Sequence, residues 1–483
     1  MLKRVFDLSG GMTVCTNRFL RASNELVRVV NYVNSPIGSL TKRYGYTAIG
    51  SQITDNYSIL GNYEFQYGTA KTQKHVVVID GAANAGVYDN QSGTWTTQSQ
   101  SLTAGNKARM ATFLDYLFLV NYADATRTWS GSAWSTSTNV TSAPKAKFIE
   151  TYKERVFLGY INDGTAYPSR FGYSSMPTAG AITWPGDYLD VNTNDNDEIT
   201  ALSKNKQHLL IFKRWALFRY DGTHNAKSLL PVSWNVGTPS QESVVKDDNN
   251  IYFWSDFGPY LYDGASIIYI GRKIQDVVDR VAGANLTSIC GGMDGNHIYW
   301  YLGDLSSALD GDSAALTKVM VDYDKRSNNW AVHTLQHALT CLANVTVSSK
   351  KVLTAGDNDG NVWRINSGTK DGMTSGGTGG TAITPHMIYR MWPAGPETVS
   401  TFNKIYFFGD SNLKDADFQY SVDGQAYSTA KDIGDDGDFV QFSTNNYGRQ
   451  LDVKITESTS TNQYRIDGFS VELEPQEPDI VEA

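Results

Sequence analysis

"HLLIFKRWALFRYDG", residues 208–222, carries two apolar runs separated by a short polar break and closed by an Asp-Gly turn. Runs rich in aliphatic and aromatic residues, bounded by Gly, Asn and Asp, mark strands rather than helices. The signature recurs from about residue 58. "HVVVID" (75–80), "YLFLVNY" (116–122), "RVFLGYI" (155–161), "IYFWS" (251–255), "IYWYLG" (298–303) and "KVLTAG" (351–356) are each followed by a turn and an aromatic second strand. One aromatic from each second strand gives Tyr88, Trp129, Tyr173, Tyr220, Tyr262, Tyr323 and Trp363, at intervals of 41, 44, 47, 42, 61 and 40 residues. The long interval holds "GDLSSALDGDSAAL" (303–316), which reads as an extended hairpin loop.

A period of about 40–45 residues with four strands per unit predicts an all-β protein whose residues 58–366 form a β-propeller of about seven blades. One four-stranded blade has two apolar faces and cannot bury them alone, so blades stack until the ring closes. The aromatics fill the wedges between blades, and the DG, SG and NN pairs supply residues that tolerate positive φ.

The flanks differ in character. Residues 1–57 read as a separate docking segment, in which "SNELVRVVNYV" (23–33) is a short helix or, favoured by its valines, an irregular strand. Residues 367–385, "SGTKDGMTSGGTGGTAITP", form a Gly- and Thr-rich connector, flexible by composition. Residues 386–475 alternate again, with a DG hairpin at Asp423–Gly424, and predict a small β-sandwich. An acidic tail, 476–483, follows.

Composition narrows the function. The chain has 483 residues, 41% of them hydrophobic, and a net charge of −9. That balance argues against a protein whose main task is gripping phosphates. No apolar run is long enough to span a membrane, and no hydrophobic leader follows the basic start, so a soluble protein made in the cytoplasm is expected. Three widely spaced cysteines, Cys15, Cys290 and Cys341, suit reduced buried thiols. No metalloprotease, redox, esterase or P-loop motif occurs, so no catalytic, cofactor-binding or metal residue is assigned. "DVNTNDNDE" (190–198) has oxygen donors but lacks the glycine and the bidentate acid of a calcium loop, so it reads as a solvated turn. A glycosidase would need paired carboxylates across a cleft, which spacing alone cannot locate.

The opening residues carry a resemblance. Gly10-Gly11, Asn31, Gly38 and then Lys42-Arg43-x-Gly45-Tyr46 within "SLTKRYGYTAIG" (39–50) resemble the start of tailed-phage virion proteins of the tail-nozzle and tail-hub type, and several blade and C-terminal stretches fit the same family. The resemblance implies a structural virion protein of the tail. Six subunits would ring the tail axis below the portal and adaptor proteins, near the tail fibre proteins, and would retain packaged DNA and pass it at ejection. An acidic wall would let DNA slide where a basic one would hold it. On this reading Lys42, Arg43, Tyr44 and Tyr46 are contact residues toward a neighbouring subunit or the adaptor. The alternative for these four is a surface hairpin. Alternatives for the whole chain are a baseplate or fibre-attachment protein, or a carbohydrate-binding or glycan-cleaving propeller.

Overall fold

The structure, a computed structural model, describes residues 1–14, 21–90, 93–223, 228–309, 314–347, 349–434, 437–443, 446–457 and 462–476. Successive antiparallel four-stranded sheets span residues 59–103, 109–135, 145–190, 199–233 and 245–269. Another takes three strands from 339–365 and a fourth from Tyr46–Ala48. These six discrete sheets form a β-propeller arrangement. A further antiparallel run of four strands, within 290–334, belongs to a larger nine-stranded sheet. The innermost strands pack side by side around one axis, and Leu339–Val347 meets Ile59–Tyr67 to close the circle.

The aromatic period is real in three dimensions. Each of the seven aromatics sits on the third strand of its run, and all except Tyr88 are buried. The turns follow the predicted chemistry, with φ of 84° at Gly222, 98° at Gly264 and 54° at Asn328. Of the long loop 303–316, residues 310–313 lie outside the described residues. So do Cys15 and residues 477–483 of the acidic tail.

The flanking segments are not separate. In chain order the strands that matter are β1 (Leu2–Val5), β2 (Arg28–Val30), β3 (Tyr32–Asn34), β4 (Leu40–Lys42), β5 (Tyr46–Ala48), β6 (Asn329–Thr334), β7 (Val362–Ile365), β8 (His386–Met391), β9 (Ser400–Gly409), β10 (Asp417–Val422), β11 (Leu451–Thr456) and β12 (Arg465–Pro475). The favoured strand reading of 23–33 holds, since β2 and part of β3 fall there. β6, the outermost strand of the 290–334 run, pairs with β2, and the sheet continues through β8, β11 and β10. A seven-stranded sheet joins β9 and β12 to β4 and β3, with β1 paired to β12 in the register Leu2↔Glu472. The two sheets face each other through rings such as Phe407 and Phe418, 5.2 Å apart, and Tyr389 and Phe469, 5.3 Å apart.

Two expectations are corrected here. Residues 1–57 are threaded through both units rather than forming a docking segment of their own, because β5 completes a propeller sheet while β1, β3 and β4 join C-terminal strands. The connector is anchored despite its composition. Lys370–Asp371 pairs with Thr381–Ala382, Thr47 bridges to Met373, and Asp371 binds Arg43.

Candidate functional site

The opening motif was the predicted contact site, and the structure turns most of it inward. Lys42 is fully buried, with its ammonium on the equally buried carboxylate of Glu457 and 5.9 Å from the ring centre of Tyr464. Arg43 is 4% exposed, and every donor of its guanidinium is used. Nε donates to Asn31 Oδ1 at 2.8 Å, Nη1 to Tyr44 O at 3.0 Å and Asp371 Oδ1 at 2.7 Å, and Nη2 to Thr334 O and Asp371 Oδ2, both at 2.7 Å. Asn31, held at φ 60°, also accepts from Thr334 N and donates to Thr334 Oγ1 and Thr384 O. One planar fork thus ties the opening segment, β6 and the connector together.

Gly45 follows for a steric reason: a Cβ there would lie 1.8 Å from the carbonyl oxygen of Lys370. Tyr46 is 1% exposed; its hydroxyl accepts from the backbone N–H groups of Gln336 and His337, and its ring meets Trp363 at 5.2 Å. Burial, then the nearby carboxylate of Asp371, pushes its phenol well above the ordinary value. Tyr44 alone faces solvent, at 52% exposure. Lys42, Arg43 and Tyr46 are therefore corrected from contact residues to parts of an internal clasp. The charged partners of Lys42 and Arg43, Glu457 and Asp371, and the Gln336, His337 and Trp363 partners of Tyr46 lie hundreds of positions away in the chain, where no local pattern could reveal them.

The axis of the propeller holds a second cluster, which sequence reasoning missed. A channel of about 520 Å³ is lined by residues of all the innermost strands. Arg109 crosses it, pairing with Glu242 at 2.8 Å and donating to Lys147 O at 2.9 Å. Glu150 meets the ammonium groups of Lys246 and, at 3.5 Å, Lys204. Burial alone would raise the Glu150 carboxyl, but Lys246 and Lys204 more than offset it and hold it below the ordinary range. Burial and then Arg109 act in the same opposing way on Glu242, with the same result. A general acid needs a raised carboxyl pKa, and these two carboxyls are shifted the other way.

The acidic loop 190–198 explains itself through Lys213. This fully buried ammonium donates to Asp195 Oδ1 at 2.6 Å, Asp195 Oδ2 at 2.8 Å, Asn192 O at 2.9 Å, Asp197 O at 3.0 Å and Ser169 Oγ at 3.2 Å. The oxygen cage that suggested calcium encloses the protein's own cation. Among the described residues no group of three or more His, Cys, Asp or Glu side chains is arranged to hold a metal ion. Cys290 and Cys341 are buried free thiols, and burial raises both pKa values.

No family model matches the chain, and no curated protein is similar to it. Similar solved structures include BamB from Moraxella catarrhalis, 14% identical over 64% of this chain and 85% of that one, with a TM-score of 0.38. The Pan2 WD40 domain of Neurospora crassa is 8% identical over 68% of this chain and 96% of that one, with a TM-score of 0.40. An exo-β-1,3-galactanase from Phanerochaete chrysosporium is 9% identical over 89% of this chain and all of that one, with a TM-score of 0.28. At these identities nothing those proteins do passes to this chain. No helix among the described residues is long and apolar enough to cross a membrane.

Proposed function

We propose that the chain is a structural subunit of a bacteriophage tail, forming a nozzle or hub ring below the portal and adaptor that retains packaged DNA and conducts it at ejection. The observation that carries this reading is where the resemblance residues lie. A Cβ on Gly11, at φ 66°, would meet Asn329 of β6; Asn31, Arg43 and Gly45 tie the opening segment to β6 and the connector, with Lys42 buried on the flanking-unit side of that joint and Tyr46 on its propeller side. Likeness at positions that dictate architecture supports a shared architecture, which likeness in surface turns would not.

The same reading covers the finer architecture. We count seven blades, because the 290–334 run contributes an inner strand, Cys290–Asp294, to the circle in the same way as the six discrete sheets. We read the two facing sheets of the flanking unit as a sandwich completed by β1, β3 and β4. The propeller's own channel is crossed by ion pairs and offers DNA no path, so DNA would run through the hole of a ring of subunits. Six subunits is what the family resemblance implies. A surface with net charge −9 per subunit favours sliding over retention by charge.

The test is to mix the purified protein with a portal–adaptor complex and image the product. A six-membered ring on the tail axis is expected, and Tyr44→Ala, at the exposed residue of the motif, should weaken docking while leaving the melting temperature unchanged. Failure of the wild type to join any tail assembly would overturn the reading.

A further inference from the structure

Outside the clasp and the axial channel lies a second cavity, a cleft of about 490 Å³ between the rims of the 109–135 and 145–190 sheets. Its volume falls in the range of small-ligand sites, roughly 300–1,000 Å³. One wall is Trp184, buried and fixed by donating its indole N–H to Asn139 O at 2.9 Å. Another is Tyr188, which is 50% exposed.

Tyr188 is not a loose side chain. The guanidinium carbon of Arg170 lies 3.6 Å from its ring centre and 3.9 Å from that of Tyr167, so the arginine stacks against both rings. Asp190 holds the arginine there with two hydrogen bonds, from Nε at 2.7 Å and from Nη2 at 3.0 Å. The ring is therefore positioned before any ligand arrives, which removes part of the ordering cost of binding.

The rim sets the chemistry. Asp163 and Asp187 are exposed, and the charge of Arg170 is already balanced by Asp190. Lys145, the remaining cation of the lining, is committed to Ala123 O at 2.6 Å. Among the described residues neither Asp187 nor Asp163 forms an ion pair, Asp163 accepting only the backbone N–H of Thr165 at 3.4 Å, and two such carboxylates against one cation disfavour phosphates and acidic ligands. A flat aromatic face beside carboxylate acceptors suits a ligand with an apolar C–H face and many hydroxyl donors.

We propose that this cleft binds a neutral pyranose oligosaccharide, with a sugar ring stacked on Tyr188 and its hydroxyls donating to Asp187 and Asp163. The proposal concerns the isolated chain and stands independently of any tail assembly.

The experiment is titration calorimetry, with saturation-transfer NMR, of the full chain against hexasaccharides of glucose (α- and β-linked), mannose and N-acetylglucosamine, and against inorganic phosphate. Saturable binding of at least one sugar is expected, with none of phosphate. Tyr188→Ala should weaken it about tenfold, while Tyr188→Phe, which keeps the ring, should stay within about twofold of wild type. Asp187→Asn, on an exposed side chain, should weaken binding without changing the melting temperature, and it decides the matter if Tyr188→Ala fails to fold. Absence of binding to every sugar, binding of phosphate instead, or sugar binding that neither Tyr188→Ala nor Asp187→Asn weakens would each overturn the assignment.

Discussion

At the scale of single residues, the clasp makes opposite forecasts for breaking an ion pair and for replacing it. Lys42→Met alone takes the ammonium away from the buried Glu457 carboxylate and should cost about 3–5 kcal/mol, whereas Lys42→Met with Glu457→Met removes both charges and should recover most of that loss. Denaturant unfolding of the four proteins of this cycle checks the forecast. His75 gives a forecast in pH. It is buried, bonded through Nε2 to Asn62 Oδ1 at 2.6 Å, and burial lowers its pKa from 6.5 to about 3. The unfolded chain binds a proton there that the folded chain refuses, so stability should be full above pH 6.5 and fall as pH drops toward 3, by at most about 1.4 kcal/mol per pH unit. His333 and His337, also lowered by burial, act in the same direction, while His297, raised by Asp322 despite its burial, opposes them. His75→Gln should therefore flatten the decline in melting temperature between pH 6.5 and 4.5 without abolishing it. An unchanged profile would mean that His75 is protonated in the fold.

Single elements decide which predictions from sequence survive. The strand pairs and the aromatic period were legible because each depends on neighbours a few residues apart, as in Leu209–Lys213 and Leu217–Tyr220. The clasp was legible as a motif but not as a clasp, since Lys42 finds Glu457 across 415 residues and Arg43 finds Asp371 across 328. Composition misled at the connector, where glycines permit close packing, Gly368 against Thr47 and Met373 and Gly372 against Gln336 and His337, as readily as they permit motion. The loop 190–198 was read as a solvated turn, and the group that its oxygens hold, Lys213, could not be seen from its spacing. Chelator should accordingly leave the melting temperature within about 1 °C of its starting value, while Lys213→Ala should lower stability by about 3–5 kcal/mol by leaving Asp195 facing the gap. A drop on adding chelator would place a metal among the oxygens of this loop.

For the whole molecule, continuity replaces the expected chain of separate domains. One apolar cluster runs from Trp254, Trp300 and Trp330 of the propeller to Phe407, Phe418 and Phe469 of the flanking unit, and one sheet crosses the same boundary. Calorimetry should therefore show a single transition with calorimetric and van't Hoff enthalpies in agreement, and limited proteolysis should spare residues 366–385. Two separated transitions, or early cleavage in that stretch, would contradict this continuity. The clasp also sets a timetable for manufacture. A ribosome adding roughly 5–20 residues per second makes Arg43 about 15–65 s before it makes Asp371, 328 positions later. Throughout that interval the nascent chain carries a finished half of the fastening with nothing to fasten to. The ring can shut only once the strands of its closing sheet, 339–365, have been made to meet Tyr46–Ala48, so closure is the last event in building the propeller.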